Sequence, residues 1–146
     1  MEAAPSYTHI LLCVDFSDSA ARVCARAADI TRRHHAQLHL LHVIEHVPVD
    51  AVGEFLGPPQ IDAHDALVRD AEERLGAVAE QMGFPDARRS VSAGHIRNEI
   101  VSHASEHGCD LIVVGSHGRH GLALLLGSTA GAILHGATCD VLAVRI

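Results

Sequence analysis

The stretch VVGSHGRHGLALLLGST, Val113 to Thr129, carries Gly115, Gly118, Gly121 and Gly127 and closes on two hydroxyls, Ser128 and Thr129. Residues of this kind act through the main chain. Glycine lets N–H groups come close to a ligand, and a Gly-Ser-Thr turn opening a helix adds donors where the helix dipole is positive. The ligand such a loop suits is an anion, a phosphate first of all. A plain strand-to-helix connection is the competing reading, but those run roughly 2 to 6 residues and this one is longer. Its leucines, Leu122 and Leu124 to Leu126, are expected to pack as a lid or a dimer surface. His117, held between Gly115 and Gly118, is a candidate to touch the phosphate. Ser128 suits a helix N-cap as well as it suits a phosphate.

Other chemistries find little support. Thirteen histidines invite a metal reading. Only His103 and His107 have ligand-like spacing, four apart on a predicted helix, and no third partner follows them, so no metal site is expected. His39 and His42, three apart in a predicted strand, should face opposite ways. There is no G-x-S-x-G elbow, no H-E-x-x-H and no pair of carboxylates in a glycine-flanked loop, so a dedicated enzyme is not expected.

Composition removes further classes. All 11 basic side chains are Arg, which excludes a Walker lysine and a Schiff-base lysine. A net charge of −7 argues against non-specific nucleic-acid binding, whose affinity comes from cations on phosphates. Cys13, Cys24, Cys109 and Cys139 are widely spaced without a C-x-x-C pair and read as reduced thiols. The start MEAAPSY has no basic region before an apolar run, and no stretch reaches the ~20 apolar residues of a membrane span. A cytoplasmic chain forming one domain over residues 1–146 is the expectation.

The elements that would position the glycine loop follow from hydropathy. His9 to Asp15 is an apolar run suited to a strand buried on both faces. Ser17 is placed to cap a helix ending near His34, with Ala20, Val23, Cys24, Ala27 and Ile30 on one stripe. Gln37 to Ile44 is a second strand, followed by a loop broken by Pro48, Gly53, Gly57, Pro58 and Pro59. From Asp62 a helix carries the stripe Leu67, Ala71, Leu75, Val78, Met82 and stops at Gly83. Arg88 to Ala93 is a third strand, and the helix after Gly94 turns Ile96, Ile100, Val101 and Ala104 inward and ends at Gly108. Leu111 to Val114, a short helix Ser128 to His135, and a last strand Asp140 to Ile146 complete the chain. Such alternation gives a doubly wound parallel sheet with helices on both faces, whose ligands bind beyond the strand carboxyl ends at the switch point of strand order.

With CVDFSDSA, LLHVIE, AGHIRNEIV, DLIVVGSHGRHG and GSTAGAILHGATCDVLAV in place, nearly the whole chain resembles the universal stress protein (UspA) family. The resemblance implies an α/β fold with five parallel strands in the order 3-2-1-4-5. In the nucleotide-binding branch it also implies a site for ATP, with or without Mg²⁺. Position by position, Asp15, with Val14 beside it, matches the acid that contacts the nucleoside, and Val43 matches the residue whose main chain meets adenine. Gly94 matches the loop beside the ribose, while Gly115, Gly118, Gly127, Ser128 and Thr129 match the phosphate cradle. An acid beside phosphate would repel it, so Asp15 is better set against ribose hydroxyls or the adenine amine, with Ser17 left to cap the helix.

One departure bears on this. The family's nucleotide-binding pattern has nine residues between its second and third glycines, and here Arg119 to Leu126 make eight. A residue spans at most ~3.6 Å, enough to move the Gly127 and Ser128 amides beyond hydrogen-bond tolerance. Two readings follow: a stress-response module that binds ATP or a related adenine nucleotide and signals through its occupancy, or an interaction protein with a vestigial site. A slow nucleotide hydrolase is a third. The last strand, at a sheet edge, is expected to pair with its copy in a homodimer, as the family resemblance suggests.

Overall fold

The computed structural model describes residues 1–45, 61–116 and 128–146. The loop expected after the second strand and the run 117–127 lie outside the described residues. Five strands alternate with four helices: β1 His9–Cys13, α1 Ala20–His34, β2 Gln37–Glu45, α2 Ile61–Met82, β3 Arg88–Gly94, α3 Ile96–Glu106, β4 Leu111–Gly115, α4 Ser128–Gly136 and β5 Asp140–Val144. The strands form one sheet in the order β3-β2-β1-β4-β5, and neighbouring strands run parallel. The direction of build reverses between β1 and β4, so the switch point lies at their carboxyl ends.

Side-chain alternation sends the two faces of the sheet into two cores. Ile10, Leu12, Leu38, Leu40 and Val113 pack with Val23, Ala27, Leu75 and Ala79 of α1 and α2. Leu11, Leu41, Ile112 and Val114 pack with Ile100, Ala104, Ala130 and Ile133 of α3 and α4. The central strands are apolar on both sides because both sides are covered.

Helix ends follow from local chemistry. Gly83, at φ 82°, ends α2, with the Phe84 N–H reaching Ala79 O at 2.9 Å. Gly108, at φ 64°, follows α3. Arg32 donates to Met82 O at 2.7 Å, placing a cation on the carbonyl end of α2.

Three expectations are corrected. Leu67, assigned to the buried stripe of α2, is 56% exposed, and burial along that stripe begins at Ala71 and continues through Leu75 and Met82. The last strand stops at Val144, where its partner β4 reaches Gly115, so Arg145 and Ile146 are not in the ladder. Ser17 does not cap α1. Ser19 holds that position without a side-chain bond, and the Ser17 hydroxyl is committed elsewhere. The four cysteines are free, as read from their spacing. Burial pushes the Cys13 thiol up out of the ordinary range, with Cys109 adding to it, and raises Cys24 to about 11, which keeps both inert.

Candidate functional site

The exit of β1 is where the chain first departs from regular structure. Val14 still follows the ladder, its N–H reaching Leu41 O at 2.9 Å while its side chain is buried. Its carbonyl lies 2.6 Å from His42 Nδ1. A carbonyl only accepts, so His42 carries its proton on Nδ1. Val14 thus works as a fixed post with both main-chain groups engaged. Phe16 then takes φ 58°, an uncommon left-handed conformation for a bulky residue. This turn brings Ser17 back under Asp15, whose Oδ1 accepts from the Ser17 N–H at 3.0 Å and from its hydroxyl at 2.7 Å. The hydroxyl expected to cap α1 instead orients Asp15.

The same turn exposes an edge of β2. The β1–β2 register ends at Cys13 opposite Leu41. Residues two apart in a strand present their N–H and C=O to the same side. Leu41 O faces β1, so the main-chain groups of Val43 also face that side, beyond the point where β1 has turned away. A donor and an acceptor on one short edge is what the Watson–Crick edge of a purine requires.

On the other flank of Val43 lies Ser92 of β3. Its hydroxyl is buried without a hydrogen-bond partner among the described residues, and the Ser116 hydroxyl, just past β4, is in the same condition. By alternation both lie on the α3 and α4 face, near the strand carboxyl ends. Gly94 ends β3 at φ 151°, with the Glu99 carboxylate where a Cβ would stand, only 2.8 Å from that position. A side chain there would meet both strain and the carboxylate.

Gly115 closes β4 opposite Val144, and the Ser116 N–H extends the ladder to Val144 O at 2.8 Å. Ser128 is exposed and is the first residue of α4 rather than its cap, with Thr129 half-buried after it. His117, Gly118 and Gly127 lie outside the described residues. Asp15, Val14, Val43, Gly94, Gly115, Ser128 and Thr129 therefore sit at strand ends or at a helix start, as the topology requires.

Two groupings escaped the sequence reading. The Phe16 ring meets the Arg74 guanidinium, 4.3 Å from its centroid, and the His42 ring, at 4.4 Å between centroids. It roofs the β1 exit on the α1 and α2 face. No spacing rule joins residues 16, 42 and 74; only the strand order does. The second grouping corrects the expectation that His103 and His107 lack a third partner. His39 of β2 meets both, its Nε2 lying 3.1 Å from His103 Nε2.

The chain matches the model of the Universal stress protein family over residues 6–145. It belongs to that family. Universal stress protein A homolog 1 of Coxiella burnetii is 41% identical over 138 residues, spanning 94% of this chain and 96% of that one. The solved structure of hypothetical protein MJ0577 superposes with a TM-score of 0.79 at 26% identity, covering 97% of each chain. A universal stress protein solved in complex with cAMP shares the fold at a TM-score of 0.64 and 22% identity, covering 95% of this chain and 97% of that one. Among the described residues of this family member, no helix is long and apolar enough to cross a membrane.

Proposed function

We propose that this family member binds ATP or a closely related adenine nucleotide, with Mg²⁺ on the phosphates, and signals through occupancy rather than turnover. The observation that carries the reading is the main-chain edge of Val43, turned toward the gap that opens where β1 leaves the sheet at Phe16. Adenine would sit on that edge and Asp15 would take the ribose. The glycine run, with Gly115, Gly118, Gly127, Ser128, Thr129 and His117, would wrap the phosphates. A relative of the same fold holding cAMP supports a nucleotide as the ligand class.

Isothermal titration with ATP, ADP, AMP and cAMP, each with Mg²⁺, tests this directly. At about 100 times its dissociation constant the preferred nucleotide should add about 2.7 kcal/mol of stability. Gly127→Val should abolish binding with the fold intact. Absence of binding at millimolar nucleotide would favour the second reading, an interaction protein with a vestigial site, which the eight-residue spacing of Arg119 to Leu126 motivates. We also assign β5, which occupies one edge of the sheet, to pairing with a second copy of the chain. A monomer by light scattering at micromolar protein would refute that pairing.

A further inference from the structure

We propose that His39, His103 and His107 form a binding site for a divalent transition-metal ion of the Zn²⁺ class, joining β2 to the end of α3. Their ligand nitrogens all lie within 4.8 Å of one another. Zinc holds imidazole nitrogens at ~2.0–2.1 Å in a tetrahedron, which sets neighbouring ligands about 3.4 Å apart. The His39 and His103 Nε2 atoms are already 3.1 Å apart. Two ring nitrogens facing each other at that distance share either a proton or a cation.

His107 is prepared for the same role. Its Nδ1 lies 2.9 Å from His103 O, one helical turn earlier. The carbonyl can only accept, so the proton is on Nδ1 and the lone pair is on Nε2, the arrangement seen when an outer hydrogen bond orients a metal-ligating histidine. The His103 and His107 rings stack at 4.1 Å and 20°, and His39 meets both edge-on. Ser90 Oγ lies 2.9 Å from His39 Nε2, where it could hydrogen-bond a water taking a fourth position on the ion. His39 is 6% exposed, so its ring is held in place by the packing around it. Arg88 of β3 opposes a cation here, while Glu99 and Glu106 of α3 favour one.

The site is separate from the proposed nucleotide site. His39 lies four residues before Val43 on β2, about 13 Å along the strand toward its amino end. Nitrogen-only ligation by imidazole suits Zn²⁺, Ni²⁺ and Cu²⁺ and discriminates against Ca²⁺ and Mg²⁺.

The test uses tag-free full-length protein freed of metal with EDTA and titrated calorimetrically with ZnCl₂, with Co²⁺ as an absorbance probe. The proposal expects about one equivalent bound near micromolar affinity, a raised Tm, and visible Co²⁺ bands of a four- or five-coordinate nitrogen site. His103→Gln with His107→Gln should weaken Zn²⁺ by at least about tenfold and abolish those bands, while His95→Gln with His135→Gln leaves both unchanged. Circular dichroism establishes that each variant is folded. His39→Gln should match the first pair, but the conclusion does not need it if that variant misfolds. Equal Zn²⁺ affinity in wild type and the His103/His107 variant, or no stoichiometric binding by wild type, would overturn the site whatever the outcome with nucleotide.

Discussion

The two ends of this one sheet are built on opposite terms. At the amino end the polar groups are saturated. The Asp110 carboxylate accepts from the Thr8 N–H at 2.8 Å, the Thr8 hydroxyl at 3.0 Å and the His9 N–H at 3.1 Å, while the Asp110 N–H returns a bond to His9 O at 2.9 Å. Burial alone would raise the Asp110 carboxyl, but these donors outweigh it and hold it below its ordinary value. Tyr7 adds a bond from its hydroxyl to Asp140 at 2.8 Å, locking the first residues to β5. At the carboxyl end Phe16 is held at positive φ, and Ser92 and Ser116 bury hydroxyls without partners among the described residues. Buried polar groups are normally paired, and strain persists where something over-determines it. The contrast teaches that stability is concentrated at the end that binds β1 to β4, while unmet hydrogen-bonding capacity collects at the end where a ligand would supply the missing partners.

The largest test of that contrast is Asp110→Ala, which strands three donors at once and should cost about 2–3 kcal/mol in urea denaturation without changing nucleotide affinity. A loss under about 0.5 kcal/mol would show that the clamp is ornamental.

Acid should act on the same half of the molecule. His39 is lowered to about 4 by burial, then by His103, His107 and Arg88, with Glu99 and Glu106 near His103 working in the other direction. Its folded value lies below its unfolded one, so stability is complete above about pH 6.5 and is lost as pH falls toward 4. In metal-free protein the loss should be about 2 kcal/mol after allowance for solvent at the ring edge, and His39→Gln should flatten the curve. Asp110 contributes in a lower window, its stabilisation present above its ordinary value of 3.8 and lost below it.

Smaller effects belong to the carboxyl end. Ser116→Ala removes a buried hydroxyl with no partner among the described residues, so it should stabilise the protein by about 0.5–1 kcal/mol while weakening the proposed nucleotide binding. If stability falls instead, the hydroxyl is satisfied and the contrast fails there. Arg74→Ala removes an exposed cation from the Phe16 ring and should cost only about 0.5 kcal/mol by thermal melting, with a larger effect on nucleotide affinity if that roof covers the ligand.

Much of the architecture was legible in the chain alone. Apolar runs of strand length, helical stripes and the stops at Gly83 and Gly108 are local signals, and each reported an element the fold contains. Leu67 misled because periodicity reports which face of a helix is apolar, not how far along its length a sheet covers it. In the candidate site, the placement of Asp15, Val43 and Gly115 near strand carboxyl ends was legible because those ends converge by topology in a doubly wound sheet, whereas Gly94 entered only through the family resemblance. The role of Ser17 was not, since a hydroxyl two residues after an acid serves a helix or a carboxylate equally well until the φ of Phe16 chooses.

By itself the sequence determined the alternation of strand and helix, the family, and the supply of main-chain donors in its glycine run, because each rests on residues close together along the chain. The tertiary structure alone decided which face of β2 meets the end of α3, and so brought His39 to His103 across 64 residues of chain. That contact depends on strand register and helix docking, which the whole core sets together and no local pattern encodes.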